Sequence, residues 1–297
     1  MFHPRLDCNG RELVLERTLV CGIVNVTADS FSDGGEFLDP ARAIAHGLAL
    51  VEQGADLLDV GGESTRPGAN AVDATTEIAR VVPVIEALAR QVKVPISIDT
   101  SKADVMRAAV AAGAGLINDV RALRGDGALD AAAALGVPVC VMHMQGEPRT
   151  MQDAPHYDDV VGEVHRFLAE RLFACQMAGI DKKKILVDPG FGFGKTLEHN
   201  LALLRALERF TEIAPVMAGL SRKRSIGVLT GREDPHERVA GSVAAALIAA
   251  QRGAAIVRVH DVAPTRDALA VWQAVAAGEG AARKPPAAKK ASLWDDD

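Results

Sequence analysis

Short apolar runs rich in Val, Ile and Leu recur along the chain at 19–26, 55–61, 94–99, 115–120, 137–144, 185–188, 215–220 and 254–260. They lack strict polar–apolar alternation, which is the pattern of strands covered on both faces. Each run is followed by a polar or glycine-rich break and then by apolar residues at helical spacing. After the first run, Asp39 is placed to cap a helix, Pro40 suits its first turn, and Ile44, Leu48 and Val51 share a face. Gly54 marks the stop, and Gly113, Gly136, Gly179 and Gly253 repeat it shortly before a strand. The last helix starts near Pro264 and is expected to bury Ala268, Val271, Trp272 and Val275 on one face.

Eight strand–helix units of roughly 30 residues predict an α/β protein, a single-domain (β/α)8 or TIM barrel. Periodicity alone leaves a doubly wound open sheet as the rival, but the count of eight and the absence of a domain break favour the barrel. The expected organisation is an N-terminal extension at 1–18, covering the barrel or forming a hairpin, and a barrel at 19–277. The Ala/Pro/Lys-rich tail at 278–297 is expected to be disordered.

Charge and cysteine usage narrow the partners. Lys plus Arg number 33 and Asp plus Glu 39, a net charge of −6. Such a chain is a poor general binder of nucleic acid or anionic membrane, so a phosphate ligand needs a local site. The 4 cysteines, Cys8, Cys21, Cys140 and Cys175, contain no C-x-x-C pair. That argues against a disulfide framework or cysteine zinc site and fits a reducing cytoplasm. No signal-peptide pattern opens the chain, and the longest apolar stretch, at 243–250, is too short to span a bilayer.

In a barrel of this type the chemistry lies at the C-terminal strand ends. Here they carry Asn25, the 61–68 segment with Thr65 and Arg66, Asp99, Asn118, Met142-His143, Asp188, Ser221-Arg222-Lys223, and Arg258 with His260. Taken singly, Asp99 and Asp188 suit helix caps, Asn118 a turn, and His143 or His260 a packed interior. Their convergence on one rim outweighs those readings. Thr65, Arg66, Arg258 and His260 can hold a phosphate-type anion. Asn25 offers a neutral oxygen to a Mg2+ that already carries phosphate and water. Asp99, Asp188 and Asn118 can read a flat heterocycle with several N–H donors.

Other motifs fail on inspection. The segment 189–196 resembles a P-loop, but Pro189 stands where its first glycine is required. No H-E-x-x-H occurs, the first strand has no H-x-H, and strand six has no lysine for a Schiff base.

The motifs do resemble one family. They are Gly-Ile-Val-Asn-Val-Thr-Ala-Asp-Ser-Phe-Ser-Asp-Gly-Gly at 22–35, Asp-Val-Gly-Gly-Glu-Ser-Thr-Arg-Pro-Gly at 59–68, Ile-Ser-Ile-Asp-Thr at 96–100 and Ile-Asn-Asp-Val at 117–120. They continue with Met-His-Met-Gln-Gly at 142–146, Asp-Pro-Gly-Phe-Gly-Phe-Gly-Lys at 188–195, Gly-Leu-Ser-Arg-Lys at 219–223 and Arg-Val-His-Asp at 258–261. In this order, from about residue 19 to 275, the chain is similar to the dihydropteroate synthases, the sulfonamide-inhibited pterin-binding family of folate biosynthesis.

The resemblance implies condensation of 7,8-dihydropterin-6-ylmethyl diphosphate with 4-aminobenzoate, giving 7,8-dihydropteroate and diphosphate, with Mg2+. It implies pterin contacts at Asp99, Asn118, Met142, Asp188, Lys223 and Arg258, with Asp99, Lys223 and Arg258 as the catalytic set. It implies diphosphate contacts at Asn25, Thr65, Arg66, Arg258 and His260, with Asn25 also the metal ligand. Phe31, Phe193 and Ser221 would meet the aminobenzoate. The family route is SN1-like: diphosphate leaves a resonance-stabilised pterinylmethyl cation, which an already nucleophilic amine captures. A homodimer through the late helices is implied, with the Ala-rich stretch 239–250 suited to close helix contact.

One position departs from the family. Ala28 stands where proline is usual, which frees the first loop and raises its ordering cost by about 0.4–1 kcal/mol. Weaker substrate affinity or slower loop closure is expected. The alternatives are a non-catalytic pterin-binding paralogue and a pterin-dependent methyltransferase domain. The latter has no use for the 221–223 segment or the Arg258/His260 anion site.

Overall fold

The eight apolar runs are strands, and they close on one another. A computed structural model of the chain describes residues 4–27, 40–64, 71–147 and 150–277. Two short strands, β1 (Arg5–Cys8) and β2 (Arg11–Val14), form an antiparallel hairpin. The others are β3 (Leu19–Asn25), β4 (Leu57–Gly61), β5 (Ile96–Asp99), β6 (Leu116–Asp119), β7 (Val139–Met142), β8 (Ile185–Asp188), β9 (Val216–Ala218) and β10 (Ala254–Val259). They make a closed barrel in the order β10-β3-β4-β5-β6-β7-β8-β9. This is the TIM barrel that the pattern predicts. The doubly wound sheet, which would leave two open edges, is excluded.

Helices return the chain between strands: α1 (Pro40–Glu52), α2 (Ala74–Gln91), α3 (Ala103–Ala111), α4 (Ala128–Leu135), α5 (Val160–Met177), α6 (Leu197–Arg205), α7 (Arg224–Thr230), α8 (Val239–Gln251) and α9 (Val262–Ala277). The five glycines read as stops all have positive φ, from 65° at Gly136 to 115° at Gly113. Among the described residues no helix is long and apolar enough to cross a membrane.

The hairpin plugs the barrel floor. Its Leu6, Cys8, Leu13 and Leu15 join Cys21, Leu57, Leu116, Cys140, Leu186, Met217 and Ile256 in one buried cluster. Its turn, Asn9-Gly10, has φ of 57° and 80°, the type I′ geometry that matches strand twist. Each buried leucine there contributes about 1.5–3 kcal/mol. A larger cluster fills the space between the outer face of the barrel and the helices. All four cysteines are free and buried.

Strand side chains alternate between faces, so the position two residues beyond each floor residue points inward again. Those positions hold Ile23, Asp59, Asn118, Met142, Asp188, Gly219 and Arg258. Floor and site are therefore consecutive layers of the same interior.

Two helix faces differ from expectation. In α9 the fully buried positions are Val262, Thr265 and Leu269, while Val271 is 66% and Val275 77% exposed. Of the predicted set, Trp272 packs partly against the core. The helix carries apolar residues on more than one stripe, and periodicity cannot say which stripe the barrel takes. In α1 the buried set is Ala43, Gly47 and Leu50, with Ile44, Leu48 and Val51 packed at its margin. Ala28, Phe31, Asp39, Thr65, Arg66 and the 278–297 tail lie outside the described residues.

Candidate active site

Register brings the first polar group together. Asn25, Gly61, Asp99 and Asn118 are successive partners across β3, β4, β5 and β6, and Met142 faces Asp188 across β7 and β8. Partners in parallel strands project to the same face at one level.

Arg258 on β10 reaches across the barrel to two of the other strands. Its Nε donates to Asp59 Oδ2 at 2.5 Å and its Nη2 to Asp99 Oδ2 at 2.8 Å. The amide Nδ2 of Asn118 donates to the same Asp59 oxygen at 3.1 Å. Asp59 is fully buried, whereas the side chains of Asp99 and Arg258 keep 13% and 20% of their exposure. Burial works against the charge on Arg258, but Asp59 and then Asp99 outweigh it and raise the pKa. Burial pushes the Asp99 carboxyl up to about 7, with Arg258 pulling the other way.

The opposite rim is built from β8 and the segment after β9. Asp188 Oδ1 accepts from Gly190 N at 2.7 Å. Gly190 has φ of +72°, and a Cβ there would stand 1.8 Å from the carbonyl oxygen of His143, so only glycine fits the crossing. Lys223 Nζ donates to Phe191 O and stands 4.5 Å from the centre of the Phe193 ring. Burial lowers the Lys223 pKa to about 8 against the pull of Asp188. Burial raises that of Asp188, with Lys223 the leading opposing charge. Burial thus acts on an amine and a carboxylate that share one rim.

Ser221 and His260 meet directly. The Ser221 hydroxyl oxygen accepts from His260 N at 3.1 Å and lies 3.0 Å from His260 Nδ1. His143 is different: burial, followed by the charge of Lys195, pushes it down to about 2. Its Nδ1 lies 2.9 Å from buried Lys195 Nζ, which also donates to Phe193 O at 3.0 Å. Through its contact with Lys195, His143 ties β7 to the β8 segment.

Of the residues named from sequence, Asn118 and Arg258 meet at Asp59 and Arg258 also holds Asp99, while Asp188, Lys223 and Phe193 form the facing rim. Met142 packs with Val120, Met144 and Met151 beside Phe193. Asn25 is placed by register. Thr65, Arg66 and Phe31 fall outside the described residues.

The sequence reading missed Asp59, which lies inside an apolar strand at inward parity, a signal that was available. It also missed supports with no local signal. Asn200 Oδ1 accepts from Gly192 N at 2.7 Å, and Tyr157 donates to Gly194 O at 2.8 Å. Lys102 bonds both Glu63 and Glu77 at 2.6 Å. Among the described residues no group of three or more His, Cys, Asp or Glu side chains could hold a metal ion. Asn25, paired with Gly61 at the end of β3, is a neutral oxygen donor at this rim.

The family model described as pterin binding enzyme matches residues 21–260, from within β3 to just past β10. The chain belongs to the pterin-binding enzyme family. A curated relative of this pterin-binding enzyme, dihydropteroate synthase of Escherichia coli strain K12, is 51% identical over 271 residues, covering 91% of this chain and 96% of the relative. The solved structure of Xanthomonas albilineans dihydropteroate synthase with 4-aminobenzoic acid matches with a TM-score of 0.89 and 66% identity. It covers 93% of this chain and 99% of that one. The same organism's synthase in complex with 7,8-dihydropteroate matches with a TM-score of 0.85 and 63% identity, covering 92% and 99%.

Proposed function

We propose that this pterin-binding enzyme condenses 7,8-dihydropterin-6-ylmethyl diphosphate with 4-aminobenzoate, releasing diphosphate and forming 7,8-dihydropteroate. The observation that carries the reading is the Asp59–Arg258–Asp99 bridge across the barrel mouth, beside Asn118 and facing Asp188 and Lys223. It sets a buried surface for a flat N–H-rich ring beside a fixed guanidinium whose remaining N–H donors can meet a leaving anion. Relatives named as synthases favour this reading over a methyltransferase domain or a non-catalytic paralogue.

In this reading Asn118 and Asp188 hold the pterin edge, Met142 lines its pocket and Lys223 reaches a ring atom. As the C–O bond to diphosphate breaks, Arg258 and His260, with Thr65 and Arg66, receive the charge that builds on the leaving oxygens. Asp99 stabilises the positive charge left on the ring. The aminobenzoate amine then forms the C–N bond and loses its proton to water, so no strong base is required. Ser221, Phe193 and Phe31 hold the aminobenzoate, and the same wall would accept a sulfonamide in its place. Mg2+, when bound through the diphosphate and Asn25, supplies further charge neutralisation.

The catalytic unit is assigned to the barrel at 19–277, working in the reducing cytoplasm that its free cysteines suit. We assign it a homodimer through the outer faces of α7, α8 and α9. Val228, Leu229, Val271 and Val275 are more than half exposed there, and Ile248 is 40% exposed. The alanines at 245, 246, 249 and 250 are buried within the subunit, so Ile248 marks the face of α8 left to a partner.

The test is diphosphate release from the dihydropterin diphosphate and Mg2+, with and without 4-aminobenzoate, beside an Asp188→Asn control. Aminobenzoate-dependent release that collapses in the variant supports the synthase. No release from the wild-type protein, with pterin still bound, would move the assignment to the non-catalytic paralogue.

A further inference from the structure

Asp59 sits beneath the candidate site and belongs to no expected contact. It lies in the middle of β4, between Leu57 in the hydrophobic floor and Gly61 at the rim. Its side chain is fully buried. Oδ2 takes both the Arg258 Nε bond and the Asn118 Nδ2 bond, and Oδ1 is buried with no hydrogen-bond partner among the described residues. A carboxylate in that setting is costly to desolvate, and an apolar pair of similar volume is often as stable as a buried ion pair. Stability alone does not account for it.

Two geometric consequences follow. Arg258 is held on its Nε edge by Asp59 and on Nη2 by Asp99, carboxylates from neighbouring strands. Two such bonds fix both the position and the plane of a guanidinium. Asp59 also settles the orientation of Asn118. An ionised carboxylate only accepts, so the NH2 side of the amide must face it. The Asn118 carbonyl oxygen is thereby turned away from Asp59, as an acceptor for a ring N–H or exocyclic amine.

We propose that Asp59 is a positioning residue for the pterin half of the reaction, acting chiefly by fixing Arg258 and secondarily by presenting the carbonyl of Asn118. This rests on the synthase reading above. Asp59 itself is placed below the reacting atoms and is assigned no bond to substrate.

The test is steady-state kinetics, with thermal melting as a fold check, for the wild type, Asp59→Asn, Arg258→Gln and the double variant. Misplacing Arg258 by about 1 Å is expected to lower kcat/KM for the dihydropterin diphosphate about 100-fold, with the KM for 4-aminobenzoate left near wild type. In the Arg258→Gln background the further loss from Asp59→Asn should shrink to less than about tenfold, because the group it positions is gone.

That last comparison sets two variants that both lack the buried guanidinium side by side. It remains decisive if Asp59→Asn alone fails to fold. Wild-type kcat/KM in a folded Asp59→Asn enzyme would overturn the proposal, as would an undiminished loss in the Arg258→Gln background or an equal rise in both substrates' KM. An inactive wild type would instead sink the synthase reading, so the two failures are distinguishable.

Discussion

Arg222 grips Asp261 through two bonds, Nε to Oδ2 at 3.0 Å and Nη2 to Oδ1 at 2.6 Å. It does so from a left-handed backbone with φ of +56°, a conformation that costs a non-glycine residue roughly 1–2 kcal/mol. The clamp joins the segment carrying Ser221 and Lys223 to the end of β10, where His260 sits. Asp261→Ala should release it, raising the KM for 4-aminobenzoate more than that for the pterin substrate. Charge-assisted hydrogen bonds at a partly buried pair are worth about 1.5–3 kcal/mol, so the melting temperature should fall as well. Unchanged kinetics and melting would show that the clamp positions nothing.

Gly190 leaves no room for a side chain against the His143 carbonyl. Gly190→Ala is expected to push the β8 segment away from β7, displacing Asp188, whose Oδ1 bonds the same residue's N–H. Pterin binding measured by calorimetry should weaken more than tenfold, a change of at least about 1.4 kcal/mol. Wild-type affinity would mean that the crossing is soft.

The Asp99 carboxyl, raised by burial to about 7, sets a pH dependence. Its ionised form pairs with Arg258 and can stabilise a ring cation, so kcat/KM for the dihydropterin diphosphate should rise with pH through an acidic limb near 7 and flatten above it. Stability runs the other way. The folded state holds the proton more tightly than the unfolded chain, so this group's contribution is full below about pH 4. It declines as pH rises to about 7. Activity profiles and melting curves between pH 5 and 9 check both signs, and Asp99→Asn should remove the acidic limb along with most of the activity.

The exposed stripe on α9 makes an assembly prediction. Val271→Asp together with Val275→Asp places two charges on a face that a dimer would bury and a monomer would leave in water. Sedimentation should show a shift from dimer to monomer with little change in the fold by circular dichroism. A wild-type protein already monomeric at micromolar concentration would refute the dimer assignment.

Much of this was legible along the chain because strand chemistry is local. Apolar runs ending in Asn25, Asp99, Asn118, Asp188 and Arg258 announce eight covered strands with a polar rim, and period-two alternation sends those residues inward with the floor beneath them. Asp59 obeyed the same parity. A lone acid inside an apolar run does not say whether it caps, pairs or reacts until its partner is known.

Pairing was decided only by closure of the barrel. Arg258 and Asp59 lie 199 positions apart in sequence, and no local preference encodes which carboxylate a guanidinium meets across a lumen. The exposed face of α9 was hidden for a related reason, since a helix with apolar residues on two stripes buries whichever one its neighbours leave room for. Local backbone and side-chain preferences determined the strands, the stops and the inward residues; the contacts that orient those residues exist only once distant segments are brought within hydrogen-bonding distance.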